Sequence, residues 1–292
     1  VETAVAFDPQ SRDPLASPHP WYVLMEVSSQ SADGLLASVE TALEAAIDPA
    51  LTAVGRGDLA RAGSFATAVA PPFRARWRAV LPDGIFAAPL IVGATVYAAS
   101  GDGVVYALDR ASGGLRWSYA AGDWVLGTPA LAAGTLFVPS RSGALAAIDA
   151  RTGIEQWVAQ LDGELFAAPA VHDETVYGAS GSGLVYALQT TDGAERWAVD
   201  LGAPVFTAPA LSAETLSVGS YAGGIVALAA TTGAERWRVD ADGPVLAAPA
   251  LANDTLYVGT YAGSLYALAP ASGVERWRFT SDAPLSAPAV DA

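Results

Sequence analysis

Cysteine and lysine are both absent from the 292 residues, histidine occurs twice and asparagine once. Without cysteine there is no disulfide framework, thiolate metal site, iron–sulfur cluster or cysteine nucleophile. Without lysine there is no Schiff-base chemistry and no phosphate-loop ammonium. No run of about 20 apolar residues escapes interruption by proline, glycine or charge, so no helical membrane span is expected. Basic charge is also short: the formal net charge is −15. Nucleic-acid binding needs a cationic footprint to displace counterions, and an acidic chain lacks one. Disorder is excluded as well, because 52% of the residues are hydrophobic, enough to bury a core. The first residue is Val1, and a basic start leading into an apolar stretch is not seen. The expectation is a processed leader or a fragment.

What is present is a repeat. Tryptophans stand at Trp77, Trp117, Trp157, Trp197, Trp237 and Trp277, spaced by 40 residues throughout. Prolines keep the same register from Pro89 to Pro249, and threonines from Thr95 to Thr255. Glycines do so at Gly103 to Gly263 and again at Gly113, Gly153, Gly193, Gly233 and Gly273. A period of this size marks a stacked or circular repeat architecture. Within residues 245–280, four runs rich in β-branched, aromatic and small apolar residues lie at about 245–251, 255–260, 264–269 and 274–280. Turn residues separate them, which predicts antiparallel strands joined by hairpins. Four short strands per 40-residue unit predict an all-β fold, a β-propeller of four-stranded blades. The first run, IFAAPL in one repeat and VLAAPA in another, is dominated by small residues, as suits a strand crowded at a central axis.

The segment AIDARTGIEQW (147–157) matches A-x-D-x-x-T-G-x-x-x-W, and ALDRASGGLRW (107–117) matches it with Ser112 in place of the threonine. This resembles the tryptophan-docking motif of pyrroloquinoline-quinone-type propeller repeats, and the resemblance covers residues 74–292. It implies that Asp109, Asp149, the six tryptophans and the glycines at 113, 153, 193, 233 and 273 tie blades together. In later repeats Gln189, Ala229 and Ala269 replace the aspartate. Five complete repeats are present, with a lone fourth strand expected at about 74–79 and a lone first strand at about 284–290. The family usually closes with seven or eight blades. The expectation is a truncated piece of a larger propeller, the alternative a compact five-blade ring with frayed ends.

Residues 1–73 lie outside the repeat. WYVLMEVSS (21–29) reads as a strand and residues 31–49 as an amphipathic helix, with Leu35, Leu36, Val39, Leu43 and Ile47 on one face. Residues 1–48 are thus expected to form a small α+β segment, and 49–73 a linker. Residues 13–47 resemble the start of the C-terminal domain of flavin-linked 2-hydroxyacid oxidases and dehydrogenases. The flavin-binding half and the histidine motif of those enzymes are missing, so no activity carries over.

A catalytic constellation is not found. His19 lies between prolines, and His172 is expected in a solvated hairpin turn beside Asp173 and Glu174. No G-x-S-x-G elbow occurs. ASGSGLVY (179–186) is a blade hairpin and not a phosphate loop, lacking lysine and a following helix. Asp162 with Glu164, and Asp240 with Asp242, are expected to be solvated loop charges. The quinoprotein dehydrogenases that share this repeat bind pyrroloquinoline quinone beside Ca²⁺ held by Glu, Asn and Asp. With one asparagine, Asn253 in a hairpin turn, no such cofactor or metal is expected.

What remains is the surface. Trp124 stands where other repeats have Gly84, Glu164, Pro204 and Pro244. Arg141, Tyr221 and Tyr261 stand where others have Gly101 and Gly181. Trp, Tyr and Arg are enriched at binding hot spots. If both loops open at one end, they form a candidate binding rim around the channel mouth. The chain therefore reads as a non-catalytic propeller serving as a protein-binding or scaffolding platform. It is similar to the propeller lipoprotein of outer-membrane barrel assembly and to propeller sensor domains. The alternative is a fragment of a redox enzyme, quinoprotein or flavin-linked. The propeller resemblance favours a periplasmic or other extracytoplasmic location.

Overall fold

A computed structural model describes residues 76–212, 214–285 and 288. The strand and helix expected in residues 1–48, and the linker at 49–73, lie outside them. The described chain is all β: five four-stranded antiparallel sheets, each a simple meander in chain order. Blade 1 consists of β1 (Leu90–Val92), β2 (Thr95–Ala99), β3 (Val104–Asp109) and β4 (Leu115–Ala120). Blade 2 runs from β5 (Ala130–Ala132) through β6 (Thr135–Pro139) and β7 (Ala144–Asp149) to β8 (Glu155–Gln160). Blade 3 holds β9 (Ala170–His172), β10 (Thr175–Ala179), β11 (Leu184–Gln189) and β12 (Glu195–Asp200). Blade 4 holds β13 (Ala210–Ser212), β14 (Thr215–Gly219), β15 (Gly224–Ala229) and β16 (Glu235–Asp240). Blade 5 holds β17 (Ala250–Ala252), β18 (Thr255–Gly259), β19 (Ser264–Leu268) and β20 (Glu275–Thr280). This is a β-propeller.

The first strand is shorter than its sequence suggests. It has three residues in every blade and starts directly after the repeating proline, so the small-residue run before it carries no ladder. Proline cannot donate to a neighbouring strand, and it sets the point where pairing begins. The small side chains serve close approach instead. A Cβ on Gly127 would lie 2.6 Å from the Ala167 carbonyl oxygen of the equivalent segment one blade on. The fourth strand expected at 74–79 is also not formed where it is described: residues 76–80 hold no strand. The run expected at 284–290 lies mostly outside the described residues.

Adjacent blades are joined by the tryptophans. The indole N–H of Trp117 donates to the Ala150 carbonyl at 3.1 Å, 33 residues on in the next blade. Trp157, Trp197 and Trp237 repeat this bond to Thr190, Ala230 and Pro270 at 2.8–3.0 Å. Trp77 makes it to Arg110 at 2.7 Å. The accepting carbonyl takes a second donor in two interfaces, from the Tyr97 hydroxyl at Ala150 and the Tyr177 hydroxyl at Ala230. The indole then lies flat on a turn that admits only glycine. Gly153 has φ +73°, and a Cβ there would stand 2.7 Å from the Trp117 ring. Tyr119 in blade 1 donates to Glu155 in blade 2 at 2.7 Å. Burial and this acceptor both push the Tyr119 phenol above its usual range, so it remains a donor.

The accepting turn is built in two ways. In the first two blades one carboxylate oxygen organises it. Asp149 Oδ1 accepts from the Arg151 and Thr152 amides at 3.1 and 2.7 Å and from the Thr152 hydroxyl at 2.7 Å. Asp109 does the same with Ala111 and Ser112. Where Gln189, Ala229 and Ala269 stand, the backbone bond from the glycine four residues on persists at 2.8–3.0 Å. Loss of the aspartate therefore leaves the turn intact. The other clamp lies on the outer strand. A bulge before each tryptophan adds one residue, arginine in four blades. Arg116, Arg236 and Arg276 each donate to the threonine of the second strand at 2.7–2.9 Å.

Two stability measurements follow. Trp197 is buried, so Trp197→Ala is expected to cost about 3–5 kcal/mol in urea unfolding, whereas Trp277→Ala, at a site 46% exposed, costs far less. The Thr152 hydroxyl and amide hold the Asp149 carboxyl below its ordinary 3.8. A depressed carboxyl stabilises the fold above the ordinary value, and that contribution disappears as pH falls through the folded one. Asp149→Asn is expected to lower Tm at pH 7, with the difference from wild type shrinking as pH falls below the ordinary carboxyl range.

Candidate functional site

The loop before each first strand and the hairpin between the second and third strands lie at the same end of the propeller, bonded to each other. In blade after blade the amide in the hairpin donates to a carbonyl in the loop: Gly101 to Gly84, Arg141 to Trp124, Gly181 to Glu164, Tyr221 to Pro204 and Tyr261 to Pro244, at 2.7–2.9 Å. The backbone is therefore the same in all five blades, and the side chains at these two columns vary over it. A buried hydroxyl behind the hairpin supports it: Ser100, Ser140, Ser180, Ser220 or Thr260. Ser100 and Ser140 hydroxyls donate to the loop carbonyls of Asp83 and Asp123 at 3.3 Å. The Val205 and Val245 amides bond the Ser180 and Ser220 carbonyls of the preceding blade.

The four rim residues divide into two groups and one isolated ring. The Arg141 guanidinium lies 5.4 Å from the Trp124 ring centroid and its Nε donates to Glu164 at 3.0 Å. Trp124 is stacked on Phe86 at 6.3 Å and 13°. Tyr221 meets Phe206 edge-on at 5.9 Å, and Phe206 meets Phe166 at 5.5 Å. Tyr261 is 59% exposed. The structure thus adds a column that sequence reading passed over as strand: Phe86, Leu126, Phe166, Phe206 and Leu246. Leu126, Phe166, Phe206 and Leu246 each follow a residue that faces inward, and the column's 40-residue recurrence was the available signal. Phe86 and Leu246 are exposed, the other three half-buried. Glycine at 101 and 181 makes room for them: a Cβ on Gly181 would lie 3.3 Å from Phe166 and 3.4 Å from Phe206.

The acids near this end are not all solvated. The Asp242 carboxylate accepts from Thr260 at 3.0 Å and from Ser264. Its burial works against ionisation, but the Ser264 and Thr260 hydroxyls and nearby Arg278 outweigh it and lower the pKa. Glu164 is paired with Arg141. Asp162 is tied by its backbone, whose amide and carbonyl both meet the Tyr186 hydroxyl at 2.9 Å. His172 is not in a turn. It is the last residue of β9, opposite Thr175, and its Nε2 lies 3.5 Å from Asp173. Among the described residues no three His, Asp or Glu side chains gather as a metal site. Asn253 sits at φ +47° in the turn after β17.

The meander blades, their 40-residue period and the indole bridges define a propeller of the pyrroloquinoline-quinone repeat type. The chain belongs to the family whose model is described as outer membrane protein assembly factor BamB, which matches residues 61–166 and again 161–284. Residues 13–47 fall outside both matches, and nothing supports their resemblance to flavin-linked enzymes. No curated protein matches the chain. Among solved structures it is similar to BamB from Moraxella catarrhalis, at 26% identity and a TM-score of 0.61 over 67% of this chain and 65% of that one. It is also similar to quinohemoprotein alcohol dehydrogenases. The one from Pseudomonas putida HK5 is 21% identical with a TM-score of 0.60, over 70% of this chain and 43% of that one. The one from Comamonas testosteroni is 17% identical with a TM-score of 0.65, over 85% and 53%. The chain thus spans less than two thirds of each of these proteins. No helix among the described residues is long and apolar enough to cross a membrane.

Proposed function

We propose that this propeller is a non-catalytic platform that binds a protein partner outside the cytoplasm, through the rim carrying Trp124, Arg141, Tyr221 and Tyr261. The observation that carries this reading is the rim itself. One bonded backbone is repeated in every blade, and aromatic and arginine side chains replace the small residues at selected positions. Phe86 at 57%, Trp124 at 44%, Tyr221 at 50%, Leu246 at 43% and Tyr261 at 59% exposure hold apolar surface in water on rigid supports. Side chains of this kind contribute binding energy with little ordering cost, because the scaffold already fixes them. Membership of the BamB family supports both a protein partner and an extracytoplasmic location.

The second reading, a redox enzyme fragment, has the dehydrogenase neighbours in its favour, which share the fold at 17–21% identity. Two measurements separate the readings. In affinity capture with the intact chain, the substitutions Trp124→Ala, Tyr221→Ala and Tyr261→Ala together are expected to weaken recovery of its partner about tenfold or more. Equal recovery by the triple variant overturns the rim. Titration with pyrroloquinoline quinone and Ca²⁺, followed by tryptophan fluorescence, is expected to give no saturable quenching beyond the inner-filter control. Saturable, calcium-dependent quenching favours the enzyme reading.

A further inference from the structure

The two ends of the propeller carry their charges differently. At the end opposite the rim, acids meet arginines. Arg116 pairs with Asp109, Arg196 with Glu174, Arg236 with Glu214 and Arg276 with Asp254. At the rim end, Arg141 is the one arginine in the described loops and hairpins, and Glu164 already holds it. Asp83, Asp102, Asp123 and Asp162 share that end, and among the described residues no cation pairs with them. The donors that meet three of them are neutral. Asp83 accepts from the Gly84 amide and Asp123 from the Trp124 amide, both at 2.7 Å. Asp102 accepts from the Val104 amide at 3.0 Å and the Tyr106 hydroxyl at 2.6 Å. Neutral donors fix a carboxylate in position and leave its charge in place.

These carboxylates border the rings of the rim. A Cβ on Gly101 would stand 2.8 Å from the Phe86 ring and 3.3 Å from Asp83 Oδ2, so ring and carboxylate meet over one glycine. A Cβ on Gly103 would stand 3.0 Å from the Asp123 carbonyl oxygen, which sets the Asp102 hairpin against the loop that carries Trp124. Asp162 lies in the same loop as Glu164, the partner of Arg141. The stacked pair of Phe86 and Trp124 is therefore edged with uncompensated negative charge. The chain itself shows what such an edge accepts. The Arg141 guanidinium lies 5.4 Å from the Trp124 ring centroid while its Nε donates to Glu164. A guanidinium offers a flat face to a ring and donors to a carboxylate, and it is more weakly hydrated than an ammonium. An acidic segment or an anionic lipid surface would be repelled here.

We propose that the partner segment received by this rim is basic and apolar together, with arginines interleaved among apolar side chains. The apolar side chains cover Phe86 and Trp124. The arginines pair with Asp83, Asp102, Asp123 and Asp162 in the way that Arg141 pairs with Glu164. This rests on the rim reading given above and adds the chemistry of the occupant. Complementary charge of this kind also selects against wrong partners and speeds encounter with the right one.

Fluorescence anisotropy of the full chain with labelled probe peptides tests it. The probes alternate arginine with leucine, arginine with glycine, and glutamate with leucine. The arginine–leucine probe is expected to bind with a Kd below about 1 mM. It binds about tenfold or more tightly than either other probe, and less tightly as added salt screens the exposed charges. Asp83→Asn, Asp123→Asn and Asp162→Asn in one chain weaken that binding about fivefold or more. Asparagine keeps an acceptor oxygen for the Gly84 and Trp124 amides, so the loops are retained, which circular dichroism checks. The salt series and the glutamate–leucine probe read the same charge without any substitution. No binding of the arginine–leucine probe, equal binding of either other probe, or binding indifferent to salt or to the three substitutions overturns the proposal. Affinity capture separates this failure from failure of the rim. Partner recovery that survives the Asp→Asn substitutions but is lost on Trp124→Ala, Tyr221→Ala and Tyr261→Ala keeps the rim and removes its basic occupant. Recovery that survives the alanine substitutions removes the rim and this inference with it.

Discussion

An indole N–H reaching a carbonyl 33 residues further on is the bond on which this molecule is organised. It is modest by itself, about 1 kcal/mol net in a typical case. Its effect lies in what it positions. The ring must lie flat on a turn whose glycine has φ near +72°, and that turn exists only if the third and fourth strands of the next blade are formed. Each blade therefore presents an apolar face that only its successor covers, and the core is a series of such interfaces. The Tyr97 and Tyr177 hydroxyls, sharing the same carbonyls, show how completely the acceptor is used.

How much of this the chain displays openly depends on which physical constraint is involved. The period of 40 is visible because every blade must place its tryptophan identically. Four strands per unit are visible because the turns place glycine, asparagine or aspartate at all but one of the described positions where φ turns positive, the exception being Ala133. The length of the first strand was hidden. Small residues and a proline suit both a crowded strand and a closely packed segment outside the sheet, and only the ladder separates the two. His172 illustrates the same limit: one residue of strand, opposite Thr175, moves it out of a turn. The Phe86 column was hidden for another reason. A large apolar residue next to a buried one reads as core, and nothing in composition says that its backbone leaves the sheet at that point.

The rim and the blade interfaces use glycine for different ends. At Gly153 the backbone must adopt a conformation that other residues resist, and an indole occupies the space of a side chain. At Gly181 the glycine leaves a gap into which Phe166 and Phe206 settle. The first kind tolerates no substitution, the second does. Arg141, Tyr221 and Tyr261 are the substitutions that occur, on hairpins whose amides keep the same bond to the loop. Variation is thus confined to side chains, while the frame that carries them is preserved from blade to blade.

Blades that rest only on their neighbours also set the manner in which the molecule comes apart. The ladders are local meanders, and the side-chain bridges between sheets span 23–53 positions, each joining one blade to the next. Such a molecule resembles a zipper more than a sphere: its cooperativity is a sum of nearest-neighbour terms rather than a single all-or-none event.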